Sequence, residues 1–270
     1  MAGNFRKAGK EQYYTLPDVG DYFAKVMVER YGKENSWLEP SGGRGDLIEG
    51  LILNGVSPSK ITSYDIEPFH ELVQQSNFLH TEIQGKFITF GNPPFGRACS
   101  LAIKFFNKCA QNSDVIGFII PPSFNKPSIQ DQLDINFHQV HVEACPSISF
   151  YDGEEIYDGG LLRTDFQIWE RRDYPRVKMQ SYRSDKFTFV KKTDDYDIAF
   201  RTHGNGAGRV LPDGDYNPRT TAFIKLNDER ALTALKSADY SFYYNSTSHI
   251  PCLAPAEISL CVDAWFRDNP

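Results

Sequence analysis

Over the first 170 residues, short apolar runs alternate with stretches of helical spacing. Ser36-Trp37-Leu38-Glu39 predicts a strand that enters the turn Ser41-Gly42-Gly43-Arg44-Gly45, and Leu47 to Leu53 then begins an apolar helix. Ile61 to Asp65 and Phe87 to Phe90 read as further strands. Ser100 to Cys109 has helical spacing that puts Leu101, Phe105 and Phe106 on one face. Val115 to Ile120 is a continuous apolar run ending at Pro121-Pro122, the pattern of a strand buried on both faces of a parallel sheet. His138 to Val142 alternates as a strand with polar residues on one side, and Asp165 to Glu170 reads as a last strand. Such alternation predicts a doubly wound, mostly parallel α/β sheet with ligands at the carboxyl ends of its strands. Beyond Arg171 the chain becomes polar, turn-rich and aromatic. The predicted boundary therefore falls near residue 172, with a first domain over 1–172 and a smaller region over 173–270.

Composition narrows the classes. At 270 residues and 40% hydrophobic content, the chain is long enough for one α/β domain plus a smaller companion. It opens on polar and basic residues, which predicts no signal peptide, and no stretch approaches the roughly 18 to 20 apolar residues of a membrane span. Cys99, Cys109, Cys145, Cys252 and Cys261 are scattered, odd in number and free of any CxxC pair. A disulfide framework and a zinc site are both disfavoured, and a reducing, cytoplasmic setting is expected. The net charge of -6 is unevenly spread: -8 over residues 1–170, +4 over 171–230 and -2 over the last forty. A local basic segment is what phosphate contacts require, although nine acids interspersed there also suit an ordinary charged surface.

Two features point to a nucleoside-bearing cofactor. The turn Glu39-Pro40-Ser41-Gly42-Gly43-Arg44-Gly45 lies between strand and helix, where small residues let a ligand approach the backbone. A second strand ends at Tyr64-Asp65-Ile66, placing a carboxylate where it would accept both hydroxyls of a ribose. Asn92-Pro93-Pro94-Phe95 follows another strand and so falls at a carboxyl end. An amine conjugated to an aromatic ring is a poor nucleophile because its lone pair is delocalised. The Asn92 amide oxygen and the Pro93 carbonyl can each accept one N–H of such an amine, localising that pair for attack on a methyl sulfonium. Successive prolines stiffen the turn, and Phe95 offers a flat face for an extruded base.

These motifs, in this order, resemble the γ-ordered N6-adenine methyltransferases, over roughly residues 10 to 172. Gln12-Tyr13-Tyr14-Thr15-Leu16-Pro17 is similar to that family's N-terminal motif, which packs around the methionine end of S-adenosylmethionine. Glu39 to Gly45, with Pro40, Ser41 and Gly43, corresponds to the cofactor turn, and Asp65 with Ile66 to the ribose-binding strand end. Asn77-Phe78-Leu79 stands where the family carries Asp-Phe-Leu against the cofactor adenine, and Phe118 to Phe124 resembles the strand after the catalytic one. Compact phage- and virus-encoded members look most similar. The resemblance implies a Rossmann-like methyltransferase fold, S-adenosyl-L-methionine as cofactor with S-adenosyl-L-homocysteine as product, no metal, and nucleic acid as partner, with DNA ahead of RNA.

Substrate contacts are less sharply marked. Phe150 and Tyr151 open an acidic, glycine-rich segment through Gly160 that reads either as a loop closing over a flipped base or as a solvent-exposed hairpin. Arg171, Arg172, Lys191 and Lys192, with Tyr182, Phe187 and Phe189 interleaved, are the expected polymer contacts. Competing readings are a glutamine methyltransferase, since a carboxamide nitrogen is equally deactivated, and a methyltransferase fold without activity. A Pro251-Cys252 nucleophile is disfavoured by its position, and a metal site at His138, His141 and Cys145 by the strand pattern that carries them.

Overall fold

The structure is a computed structural model and describes residues 13–152, 155–156, 162–247 and 250–270. The chain divides into two compact units. One runs to Pro121 and resumes over Gln132–Arg176, and the other comprises Pro122–Asp131 and Val177–Pro270.

In the first unit, β1 (Tyr13–Thr15), α1 (Pro17–Tyr31), β2 (Trp37–Glu39), α2 (Asp46–Leu53), β3 (Ile61–Asp65), β4 (Val73–Gln75), β5 (Phe87–Gly91), α3 (Ser100–Cys109) and β6 (Ser113–Ile120) follow in order. A short α4 (Pro127–Gln130) belongs to the second unit. The first then resumes with β7 (Phe137–Ala144), β8 (Phe150–Asp152), β9 (Glu155–Ile156) and β10 (Asp165–Arg171). The main sheet has seven strands in the order β4-β3-β2-β5-β6-β10-β7. The first five are mutually parallel, whereas β10 runs antiparallel to both β6 and β7. This is a Rossmann-like α/β sheet, and its strand order reverses between β2 and β5, where a crevice opens outside the carboxyl ends.

Burial explains the apolar runs. Trp37 and Leu38 of β2 and Phe118, Ile119 and Ile120 of β6 are at most 1% exposed, as two-sided coverage requires. Helix α1 begins with Pro17 at its first turn and turns Val19, Phe23, Ala24 and Met27 inward. The Phe23 ring stacks on Phe166 of β10 with centroids 4.3 Å apart. A separate three-stranded sheet joins β1 to β8 and β8 to β9, all antiparallel.

The second unit carries β11 (Phe187–Val190), β12 (Ile198–Arg201), β13 (Arg209–Leu211), β14 (Thr221–Leu226), α5 (Ala231–Ser237), α6 (Ser241–Asn245) and α7 (Pro255–Asp268). Its strands form an antiparallel sheet in the order β11-β14-β12-β13, packed on Phe187, Phe200, Ile224, Leu235, Ile258 and Val262. The segment around α4 is tied to α7 by a buried ion pair. Lys126 Nζ donates to Glu257 Oε2 at 3.1 Å and to the Cys252 carbonyl at 2.9 Å, and Glu257 Oε2 also accepts from the Ala254 N–H. Among the described residues, no helix is long and apolar enough to cross a membrane.

Candidate active site

At the carboxyl ends of β2, β3 and β5 lies a cavity of about 500 Å³. Tyr13, Tyr14, Pro40, Ser41, Gly43, Asp65, Ile66, Asn77, Phe78 and Asn92 through Phe95 all line it, so motifs spread over eighty residues of sequence converge on one space. The remaining sequence-predicted residues of this group sit behind it or outside the described residues. Thr15 and Glu39 are buried at 4% and 1% exposure, Gly45 caps α2, and Gln12 lies outside the described residues.

The glycine turn is shaped by its neighbours. Gly43 has φ +47°, its N–H donates to Asp65 Oδ2 at 2.9 Å, and a Cβ there would fall 2.8 Å from the Tyr14 ring. Gly45, at φ +85°, has no room either, because a Cβ would meet the His70 ring at 2.4 Å. Asp65 Oδ1 accepts from the Glu67 N–H at 2.8 Å. Each carboxylate oxygen therefore keeps one lone pair for a ligand.

Glu39 sits beneath the turn. Its Oε1 accepts from the Ser41 N–H at 3.0 Å, while Oε2 has no hydrogen-bond partner among the described residues. Burial pushes its carboxyl up to about 8, and the bonds from Ser41 only partly offset that. Ser41 Oγ lies 3.2 Å from Glu39 Oε1 and 3.1 Å from the Asn92 carbonyl oxygen, linking the turn to the Asn-Pro-Pro-Phe segment.

The Asn92 side chain is held by β1. Its Nδ2 donates to the Tyr13 carbonyl at 3.1 Å and to Thr15 Oγ1 at 3.2 Å. A carbonyl only accepts, so the amide nitrogen must face β1 and the amide oxygen must face away from it. Both amide hydrogens are thereby used, and the oxygen is left as an acceptor. Opposite, Phe78 is buried and stacks on Phe105 with centroids 5.4 Å apart, giving the cavity an aromatic wall. Asn77 Oδ1 accepts from the Leu79 N–H at 3.2 Å.

Sequence reasoning missed Ser76, Arg97, Ser100, Leu101 and Phe105, which also line the cavity, as does Leu79 of the Asn77-Phe78-Leu79 motif. The helical spacing of Ser100 to Cys109 was the available signal, but it set Leu101 and Phe105 on one face with Phe106 without separating a cavity wall from the core. It also missed Arg44, whose guanidinium lies 4.9 Å from the Tyr151 ring centroid and 5.6 Å from that of Tyr14.

The expected substrate contacts fall in different surroundings. Phe150 is 2% exposed, and its ring packs edge-on to Tyr13 within the main core. Tyr151 stays half-buried over Arg44. Arg171 ends β10 and Arg172 follows it, and because β10 is antiparallel they stand at the edge of the sheet opposite the cavity. Both are also engaged: Arg171 with Asp114 and the Phe137 ring, Arg172 with Glu170 at 2.8 Å. In the second unit Lys192 pairs with Asp215, and Phe187 is a core residue, whereas Lys191 is exposed.

No family model matches this chain, and no curated protein matches it. Among solved structures, a candidate RNA methyltransferase of Pyrococcus horikoshii is 17% identical, covering 62% of this chain and 89% of the other with a TM-score of 0.47. A modification subunit of a candidate type I restriction enzyme from Vibrio vulnificus is 14% identical, covering 92% and 60% with a TM-score of 0.43. Magnesium protoporphyrin IX methyltransferase from Synechocystis, with bound S-adenosylmethionine, is 10% identical, covering 58% and 79% with a TM-score of 0.40. Likeness at this level carries no function across, and the Rossmann-like assignment rests on the strand order of the sheet itself.

Proposed function

We propose that this chain is an S-adenosylmethionine-dependent methyltransferase acting on the N6 amine of adenine in nucleic acid, with DNA ahead of RNA. The observation that carries the reading is the Asn92 amide, whose nitrogen is consumed by β1 and whose oxygen is left as an acceptor at the cavity. The cavity suits the cofactor on its own chemistry. Asp65 retains lone pairs for ribose hydroxyls, and the glycine turn admits a ligand against the backbone. Glu39 to Gly45, Asp65, Ile66, Asn77 and Phe78 hold the cofactor, which when bound supplies an electrophilic methyl group. Asn92 Oδ1 and the Pro93 carbonyl accept the two N–H bonds of the target amine, and Phe95 supports the base. Rate then comes from orientation and from polarising the amine.

Asn92→Ala tests this with radiolabelled S-adenosylmethionine and adenine-containing single strands, duplexes and RNA. The account expects transfer to fall by roughly 100-fold or more, the scale for loss of one preorganised polar group. Transfer at the wild-type rate would overturn it. A glutamine-containing protein acceptor in the same assay separates the competing amide chemistry.

A further inference from the structure

The strand that holds Asn92 is itself held by β8, 135 residues further along the chain. In the antiparallel pair, Tyr14 faces Tyr151 and Thr15 faces Phe150, and the Leu16 N–H donates to the Ser149 carbonyl at 2.8 Å. Successive residues of a strand turn their backbone groups to opposite edges. Tyr14 and Leu16 therefore face β8, and the Tyr13 carbonyl turns to the other edge, where Asn92 meets it. Thr15 Oγ1 takes the second amide hydrogen, and its side chain is 4% exposed and absent from the cavity wall. Arg44 of the glycine turn lies over the rings of both Tyr14 and Tyr151, and so joins the turn to the β1–β8 pair.

From this geometry we infer that Thr15 is a positioning residue: its hydroxyl, together with the Tyr13 carbonyl, fixes the rotation of the Asn92 amide, and the β8–β9 hairpin supports that alignment through β1. Thr15 thus acts through Asn92 rather than on the cofactor. The inference rests on the proposed role of Asn92 in methyl transfer, although the orientation of the amide can be read without any turnover. With only the Tyr13 carbonyl remaining, the amide keeps one anchor and can swing about it, so the acceptor oxygen spends less time aimed at the amine. Valine has the shape of threonine without the acceptor, and serine keeps the acceptor without the methyl group.

The test compares Thr15→Val and Thr15→Ser with wild type by steady-state methyl transfer to an adenine-containing strand, by calorimetric binding of S-adenosylmethionine, and by the NMR shifts of the Asn92 side-chain amide protons. The expected result for Thr15→Val is a fall in kcat of about tenfold, the worth of one hydrogen bond. Cofactor Kd should stay within about twofold and one Asn92 amide proton should move, with Thr15→Ser restoring both kcat and shift. A weaker cofactor Kd at unchanged kcat would overturn the inference by making Thr15 a cofactor contact, as would an unmoved Asn92 amide in Thr15→Val. If wild type methylates no adenine strand, the functional reading fails, and the amide shift still decides the positioning.

Discussion

Burial of Glu39 makes the stability of the ligand-free protein depend on pH in a direction opposite to that of most carboxylates. Its side chain is 1% exposed, one oxygen has no hydrogen-bond partner among the described residues, and burial pushes its carboxyl up to about 8 from an ordinary 4.5. A folded pKa above the unfolded one means that the native state holds the proton more tightly. The associated stability is complete below pH 4.5 and is lost as pH rises toward 8. Each pH unit within that window is worth about 1.4 kcal/mol, so between pH 5 and pH 7 this one group removes roughly 2.5 kcal/mol. Spread over a chain of this size, that corresponds to a fall in Tm of roughly 5–10 °C. Glu39→Gln keeps the shape and the acceptor for the Ser41 N–H but cannot ionise. Calorimetric melting of both proteins from pH 5 to pH 8 should show the wild-type curve falling away from that of the variant. Two parallel curves would refute the buried, orphaned carboxyl.

Other parts of the account are open to equally direct checks. Phe150→Ala should cost about 3–5 kcal/mol in chemical denaturation as a core truncation; a normal stability with weakened nucleic-acid binding would instead favour a base-stacking role. Lys126→Met strands the Glu257 carboxylate and should cost about 3–5 kcal/mol, much of it recovered in Lys126→Met with Glu257→Gln, as read by urea titration. Arg171→Ala with Arg172→Ala, at the edge of the sheet away from the cavity, should leave the affinity for an adenine-containing strand within about twofold in a filter-binding assay.

Local pattern carried much of the first unit. Ile61–Asp65 is β3 as read, Ser100–Cys109 is α3, and the apolar run before Pro121 is β6 with Ile116 to Ile120 buried, because period and punctuation are properties of neighbouring residues. What stayed hidden depends on distant pairings. Nothing near Tyr13 announces that β8 will align it, nothing near Lys126 announces Glu257, and the short Val73–Gln75 carries too few residues to show a period. Arg171 shows the same dependence on distant pairing. Its basic neighbourhood was legible, but the antiparallel direction of β10, which sends it away from the cavity, is a property of the sheet. The site motifs were found as types of chemistry, whereas the orientation of the Asn92 amide and the isolation of Glu39 emerge only once the turn, β1 and β5 are packed together.

The central claim is the identity of the methylated atom. The decisive measurement is incubation of the protein with S-adenosylmethionine carrying a ¹³C methyl group and adenine-containing strands, followed by digestion to nucleosides and mass spectrometry. The account predicts label in N6-methyladenine, absent with Asn92→Ala; label on cytosine, label on a protein glutamine, or no transfer to any strand would contradict it.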